Sequence, residues 1–308
     1  MSREVDFVTF GIVIDDVVFP NGQVVADLLG GGGPQTAFGM RLWADRVGLA
    51  ARVGEDLPAN AWAWLRETGI DTEGVRVTEY PTLRAWQHLS AEGGRRHEWR
   101  VPAQAIGAQL ARSVEALPPG YRQARGWHLG LHPEEPNLAF LAGLRALGGL
   151  VSVEPFRPAQ QRPAPKALRA LLAATDIFSP NLAGARSLVG PGTPEEVTQH
   201  LLEAGATVVA LRLGAEGSLV ATGRGSSGRR ARIPALPVAV VDPVGAGNAY
   251  CGGFLTGWVD TGDVVEAGLR GAVAASFLLE QYGLPAGGVP HGDAEKRREV
   301  LRRMVRGG

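Results

Sequence analysis

Val241-Asp242-Pro243-Val244-Gly245-Ala246-Gly247-Asn248-Ala249-Tyr250-Cys251-Gly252-Gly253-Phe254 is the stretch on which the fold turns. A β-type run, Ala239-Val240-Val241, precedes it, and the apolar spacing behind it is helical. The turn between them carries glycine at 245 and 247, which lets consecutive backbone N–H groups point at one spot. A helix N-terminus directly behind makes that spot suit an anion, and phosphate is its natural ligand. Asn248 then stands out, an amide where phosphoryl-transfer chemistry favours a carboxylate.

Outward from that stretch, 308 residues with 45% hydrophobic content supply ample core for one large α/β domain or two ordinary ones. The formal net charge of zero gives no footprint for nucleic acid or an acidic surface. Lysine occurs only at 166 and 296, and no G-x-x-x-x-G-K-[ST] loop exists, which excludes a P-loop protein. The lone Cys251 excludes an internal disulfide and a C-x-x-C metal site; it reads as a small residue where a helix packs. Met1 to Asp6 carry acid and lack a long apolar segment, so no secretory leader is expected, and no run reaches membrane-span length. The expectation is a cytoplasmic protein with no membrane or nucleic-acid partner.

From the N-terminus, Phe7 to Ile14 reads as one buried strand ending in Asp15-Asp16, carboxylates at the strand edge where open α/β sheets bind ligands. Val17-Val18-Phe19 and Val24-Val25-Ala26, split by Pro20-Asn21-Gly22, read as a hairpin. Gly30-Gly31-Gly32-Gly33-Pro34-Gln35 leads into a helix expected from Ala37 to Val47; its glycines would let a ligand approach backbone, with Gln35 able to donate and accept. Residues 82–100 read as a second polar hairpin turning at Glu92-Gly93-Gly94, across which His88 and His97 could pair. From Val101 onward strand and helix candidates alternate, the rhythm of a mostly parallel sheet covered on both faces. Glu154, Asn181, Arg212 and Asp242 fall just after strand runs, on the ligand-binding edge. His132-Pro133-Glu134-Glu135 reads as a capped helix start with acids in its first turn, and residues 224–232 as a solvated hairpin tip.

These pieces, in this order, resemble the ribokinase-like, or PfkB, family of carbohydrate and nucleoside kinases. Gly11 and Asp16 resemble its strand-end G-x-x-x-x-D, and Gly30 to Ala37 its first glycine signature, with Gln35 where many members have Asn. Val53-Gly54-Glu55-Asp56 resembles V-G-x-D, and Thr68-Gly69-Ile70 the G-I/V that follows it. Ser179-Pro180-Asn181 resembles P-N-x-x-E, and Leu211 to Gly217 resembles [TK]-L-G-x-x-G. The opening stretch resembles V-D-T-x-G-A-G-D-x-F-x-x-G-F. The resemblance implies one α/β three-layer sandwich over 1–308 with a mostly parallel central sheet and a small β lid, its strands within 12–27 and 81–101. It implies transfer of the γ-phosphoryl of ATP, with Mg²⁺, to a small-molecule hydroxyl.

By match, Asp16, Gly31, Gly32 and Gln35 would hold the acceptor, and Gly245, Ala246 and Gly247 would form the anion hole beside Asp242. Asn181, Arg212, Gly214 and Gly217 would lie along the nucleotide, and Gly271, Ala275 and Gly283 would wall the adenine pocket. The lid strands are amphipathic enough to pair between chains as a homodimer.

Three departures bear on this. Asn248 replaces the family's general-base Asp, and a carboxamide cannot take a proton at neutral pH. Gly184 replaces the Glu of P-N-x-x-E, which leaves the Mg²⁺ arrangement open, and Pro243 replaces a Thr. A minority branch of the family also carries Asn at the base position. Three readings follow: an active kinase with Asp242 or Glu154 as base or with an already anionic acceptor, a nucleotide- or sugar-binding pseudokinase, or another chemistry such as ATP hydrolysis.

Overall fold

The run from Phe7 to Ile14 is cut in two at Gly11. In the computed structural model, which describes residues 4–91, 94–223 and 228–307, Gly11 takes a φ of +85°. Its N–H donates to Ala50 O at 2.9 Å and its carbonyl accepts from Gly33 N at 3.0 Å. The chain therefore ends one strand, β1 (Phe7–Phe10), and begins another, β2 (Val13–Val18), in a different sheet. Asp15 and Asp16 lie inside β2 and are buried, rather than forming a strand-end turn.

The remaining elements, in order, are β3 (Val24–Gly30), α1 (Gly32–Arg41), β4 (Val47–Gly54), α2 (Ala59–Glu67), β5 (Val75–Thr78), β6 (Arg84–Leu89), β7 (Arg95–Trp99), α3 (Ala103–Leu110) and β8 (Gly126–Leu131). They continue with α4 (Leu138–Ala146), β9 (Leu150–Pro155), α5 (Pro165–Ala173), β10 (Ile177–Phe178), α6 (Leu182–Val189), α7 (Pro194–Glu203), β11 (Val208–Arg212), β12 (Ser218–Thr222) and β13 (Arg230–Ile233). Three helices close the chain, α8 (Ala246–Thr261), α9 (Val264–Leu279) and α10 (His291–Gly307).

The central sheet has nine strands in the order β13-β12-β11-β10-β9-β8-β1-β4-β5, parallel except for the antiparallel pairs β11/β12 and β12/β13. Alternate residues of one strand enter opposite cores: Val208 and Ala210 face one, Val209 and Leu211 the other. Phe38 of α1, Leu65 of α2, Phe254 of α8, Val273 of α9 and Leu301 of α10 fill the first core. Phe140 of α4, Leu171 of α5, Leu188 of α6 and Leu201 of α7 fill the second. The result is the three-layer α/β sandwich expected. Among the described residues no helix is long and apolar enough to cross a membrane.

The second sheet, β3-β2-β6-β7, gathers the two segments expected to form the lid. β3 and β7 are its outer strands. His88 faces Arg96 and His97 faces Gln87 across the β6/β7 ladder, so the two histidines are offset by one register and do not pair. The expected turn lies partly outside the described residues, as does part of the 224–232 tip, whose far end is strand β13.

One helix begins earlier than the sequence placed it, and the helix start read at 132–135 begins none, since the helix candidate that follows it starts where its apolar spacing does. α1 starts at Gly32, five residues early, because Gly33 N–H is claimed by Gly11 O. α4 starts at Leu138 with Asn137 as cap and no acid in its first turn. His132 and Glu134 instead meet Arg157, at 2.9 Å for each contact.

α1 and α8 touch backbone to backbone. A Cβ on Gly39 would overlap Ala249 O, and one on Gly252 would overlap Thr36 O. Gly252→Val is therefore expected to lower stability by about 1–3 kcal/mol through overpacking. Gly107→Ala, at an exposed site of α3 with no atom within 4 Å of the added carbon, is expected to raise it by about 0.5–1 kcal/mol. Urea denaturation of the two variants checks both signs.

Candidate active site

The 245–247 turn sits where α1, α8 and the end of β11 meet. The run 239–241 before it is extended but joins neither sheet, and Val240 is 62% exposed. The segment is held instead by Val241 N–H on Leu279 O at 2.7 Å. Asp242, buried, accepts Val244 N–H at 2.9 Å on Oδ1 and Gly283 N–H at 3.4 Å on Oδ2. Burial pushes its carboxyl above the usual range. Gly245 then takes the left-handed conformation, φ +87°, and caps α8.

Gln35, buried, lies against Gly245 so closely that any Cβ there would overlap its amide. Asn248 Nδ2 donates to Gln35 Oε1 at 2.6 Å, and Thr36 Oγ1 donates to Asn248 O at 3.1 Å. The first turns of α1 and α8 are thus joined side by side, and neither carries an acidic residue. Two helix N-termini converge on one space, an arrangement suited to negative charge.

On the β11 side, Arg212 packs its guanidinium against Gly247. Its Nη2 donates to the Glu154 carboxylate and to Ser179 O, the latter at 2.9 Å. Burial alone would raise the Glu154 pKa, but Arg212 and His128 hold it down to about 2. His128 Nδ1 pairs with Ser152 Oγ at 2.9 Å while its Nε2, 3.7 Å from Glu154, has no hydrogen-bond partner. Cys251 is buried, as read, with Sγ 3.4 Å from Ser179 Oγ. Donor atoms of His128, Glu154 and Cys251 lie within 4.8 Å of one another, but the Arg212 cation already occupies Glu154.

The residues matched to the nucleotide divide. Asn181 spends its side chain capping α6 through Gly184 N–H at 2.7 Å. Gly214 is open, with no atom within 4 Å of a Cβ there, whereas Gly217 packs into the backbone of Ile233 and Pro234. Gly271 lies inside the α8–α9 contact against Tyr250, away from open space. Ala275 is half-buried on α9, and Gly283 comes up beside Leu28 of β3.

Among the residues matched to the acceptor, Gly31 caps α1 with φ +78°, and a Cβ on Gly32 would meet nothing nearer than 4.0 Å. Asp15 turns toward this glycine turn, accepting Gly31 N–H at 3.2 Å and Gln87 Nε2 at 2.8 Å. Burial raises its pKa to about 6 against those two hydrogen bonds. Asp16 turns to the other face of β2, where Arg100 and the Asp27 N–H, at 2.8 Å, hold its carboxylate. Arg100 in turn stacks 4.5 Å over Trp86. The sequence offered Asp15 and Asp16 together at the ligand-binding edge, the family match pointed to Asp16, and neither Arg100 nor His128 was singled out for the site. Strand alternation, applied to β2, was the available signal for Asp15.

The anion turn with Arg212 fits a phosphate chain. With Gly184 where a carboxylate was expected, the chain offers Mg²⁺ no acidic side chain there, and phosphate and water oxygens would supply its ligands.

Known proteins are similar to this chain over most of its length. The cytidine kinase of Thermococcus kodakarensis is 28% identical over 282 residues, spanning 90% of this chain and 97% of that protein. The 2-dehydro-3-deoxygluconokinase of Bacillus subtilis is 28% identical over 83% of this chain and 82% of that protein. The structure of a putative ribokinase II from E. coli in complex with ATP and Mg²⁺ superposes with a TM-score of 0.73, at 18% identity over 96% of this chain and 99% of that one. The sequence profile of the pfkB family carbohydrate kinases matches residues 8–291, and to that family this chain belongs.

Proposed function

We propose that this chain transfers the γ-phosphoryl group of ATP to a hydroxyl of a small polar acceptor of the sugar or nucleoside type, in the cytoplasm. The single observation that carries the reading is the pair of helix N-termini joined through Gln35, Gly245 and Asn248 with Arg212 alongside. Bound ATP with Mg²⁺ would supply the transferable phosphoryl group. The backbone N–H groups of 245–247 and the Arg212 guanidinium would meet the charge that develops on it.

The proton of the acceptor hydroxyl needs a destination. Glu154 is a poor one, since Arg212 keeps it ionised down to about pH 2. Asp242 is committed to two backbone N–H groups that hold the turn. Asp15, with a pKa raised to about 6 beside Gly31, has the proton affinity a base at neutral pH requires. Asn248 orients rather than deprotonates, because its amide donates to Gln35. That same amide pair favours a second reading, a pseudokinase whose base position is locked by hydrogen bonding.

Two outcomes separate these readings. With Asp15 as the base, Asn248→Asp is expected to leave kcat within about tenfold of the parent, whereas a rise of about 10²–10⁴-fold would show that a positioned base is what the natural chain lacks. A parent with no transfer to any sugar or nucleoside, beside an active variant, identifies a pseudokinase. Radiolabelled phosphate transfer from ATP reads both.

A separate expectation concerns pH. The Asp15 pKa is raised on folding, so between about pH 4 and 6 the folded chain binds more protons than the unfolded one. Stability contributed by protonated Asp15 is therefore lost as pH rises through that window, by up to roughly 3 kcal/mol. Asp15→Asn is expected to remove this loss, so its Tm advantage over the parent grows from pH 4 to pH 6.5. Thermal melts across that range check it, and the same variant is expected to lower kcat by about 10²-fold.

A further inference from the structure

Most arginines around the acceptor side are neutralised by a named carboxylate: Arg100 by Asp16, Arg84 by Asp27, Arg157 by Glu134 and Arg212 by Glu154. Two are not. Arg112, just beyond α3, donates Nη1 to Gly130 O at 3.1 Å and lies 5.6 Å over the Phe10 ring. Its Nη2, 3.6 Å from where a Cβ on Gly11 would stand, has no hydrogen-bond partner among the described residues. Arg95, on lid strand β7, reaches down to Phe156 O at 3.4 Å. No carboxylate pairs with either among the described residues.

The two arginines are anchored on adjoining ground. Gly130 and Phe156 lie at the ends of neighbouring strands β8 and β9, and the Phe156 Cβ is 3.8 Å from a Cβ built on Gly130. Gly11, which Arg112 overhangs, is the residue whose carbonyl receives the first turn of α1. Arg112 is half-buried, and desolvation with no carboxylate among the described residues to offset it pushes its pKa down to about 10, so a counter-charge there would be favourable. Arg95 also exerts its field on Asp15 and Glu154, which places its charge over the site.

We infer that the acceptor carries an anionic group, carboxylate or phosphate, seated between Arg112 at the sheet edge and Arg95 of the lid. Guanidinium groups recognise both oxyanions bidentately, so the pair fits a sugar acid or a sugar phosphate. The anionic group is a handle; the hydroxyl phosphorylated is another group of the same molecule. This inference rests on the kinase reading above and names its substrate class.

Calorimetric titration at constant ionic strength, with D-gluconate, D-glucose 6-phosphate and D-glucose as probes, tests it and separates the two sources of charge. One anionic probe is expected to bind at least about tenfold more tightly than glucose. Arg112→Gln and Arg95→Gln are each expected to weaken that binding by about 10–100-fold, with Arg112→Lys intermediate. Arg95 lies on an exposed strand, so its variant serves if Arg112→Gln fails to fold. No preference for either anionic probe, or tight anion binding unchanged in both Gln variants, overturns the inference. Failure of the kinase reading looks different: anionic probes bind but accept no phosphate from ATP. Transfer to glucose alone, with no anion preference, overturns the inference and leaves the kinase standing.

Discussion

The backbone contact between α1 and α8 is the constraint on which the site depends. Gly39 and Gly252 let the two helices approach until carbonyl oxygens fill the space of the missing side chains. That distance sets the registry of their first turns. It brings Gln35 onto Gly245 and within 2.6 Å of Asn248, and so fixes the anion turn without any ligand. α9 packs on the other side, with Gly253 and Gly257 of α8 against Arg270 and Ala267. A turn held between two helices in this way is organised before phosphate arrives, the condition under which electrostatic stabilisation is most effective.

Charge is arranged around this turn with few unpaired groups. The Glu154 carboxylate fixes Arg212 against Gly247, and Asp16 fixes Arg100 over Trp86. A buried carboxylate is tolerated because a guanidinium meets it, and neither could be removed singly without leaving its partner uncompensated. Against this background Asp15, whose pKa is raised to about 6, and Arg112, which no carboxylate meets among the described residues, are exceptions.

Much of the fold was legible because its signals are local. Alternating strand and helix candidates from Val101 onward, the paired lid segments and the glycine turn at 245–247 all depend on spacing within about ten residues. What was not legible depends on partners distant in sequence. Phe7 to Ile14 looks like one strand until Gly11 hands its carbonyl to Gly33 and the chain changes sheet. Residues 239–241 have strand composition but join no strand, because Val241 N–H is taken by Leu279 O, distant in sequence. α1 begins at glycines and a proline, poor helix formers, because a tertiary hydrogen bond determines its start. The cluster of His128, Glu154, Arg212 and Cys251 draws on three strands and a helix, and nothing in their spacing announces it. Gly271, matched to the adenine wall, also packs where α9 passes Tyr250, a contact its spacing does not announce.

The central claim is that the 245–247 turn, backed by Arg212, receives the phosphates of ATP. Calorimetric titration of a non-hydrolysable ATP analogue with Mg²⁺ into the natural chain and into Gly247→Val tests it most directly, since a side chain at 247 would displace the Arg212 guanidinium. The account predicts saturable one-to-one binding to the natural chain and at least about tenfold weaker binding to the variant. No binding to the natural chain, or equal binding to both, would contradict it.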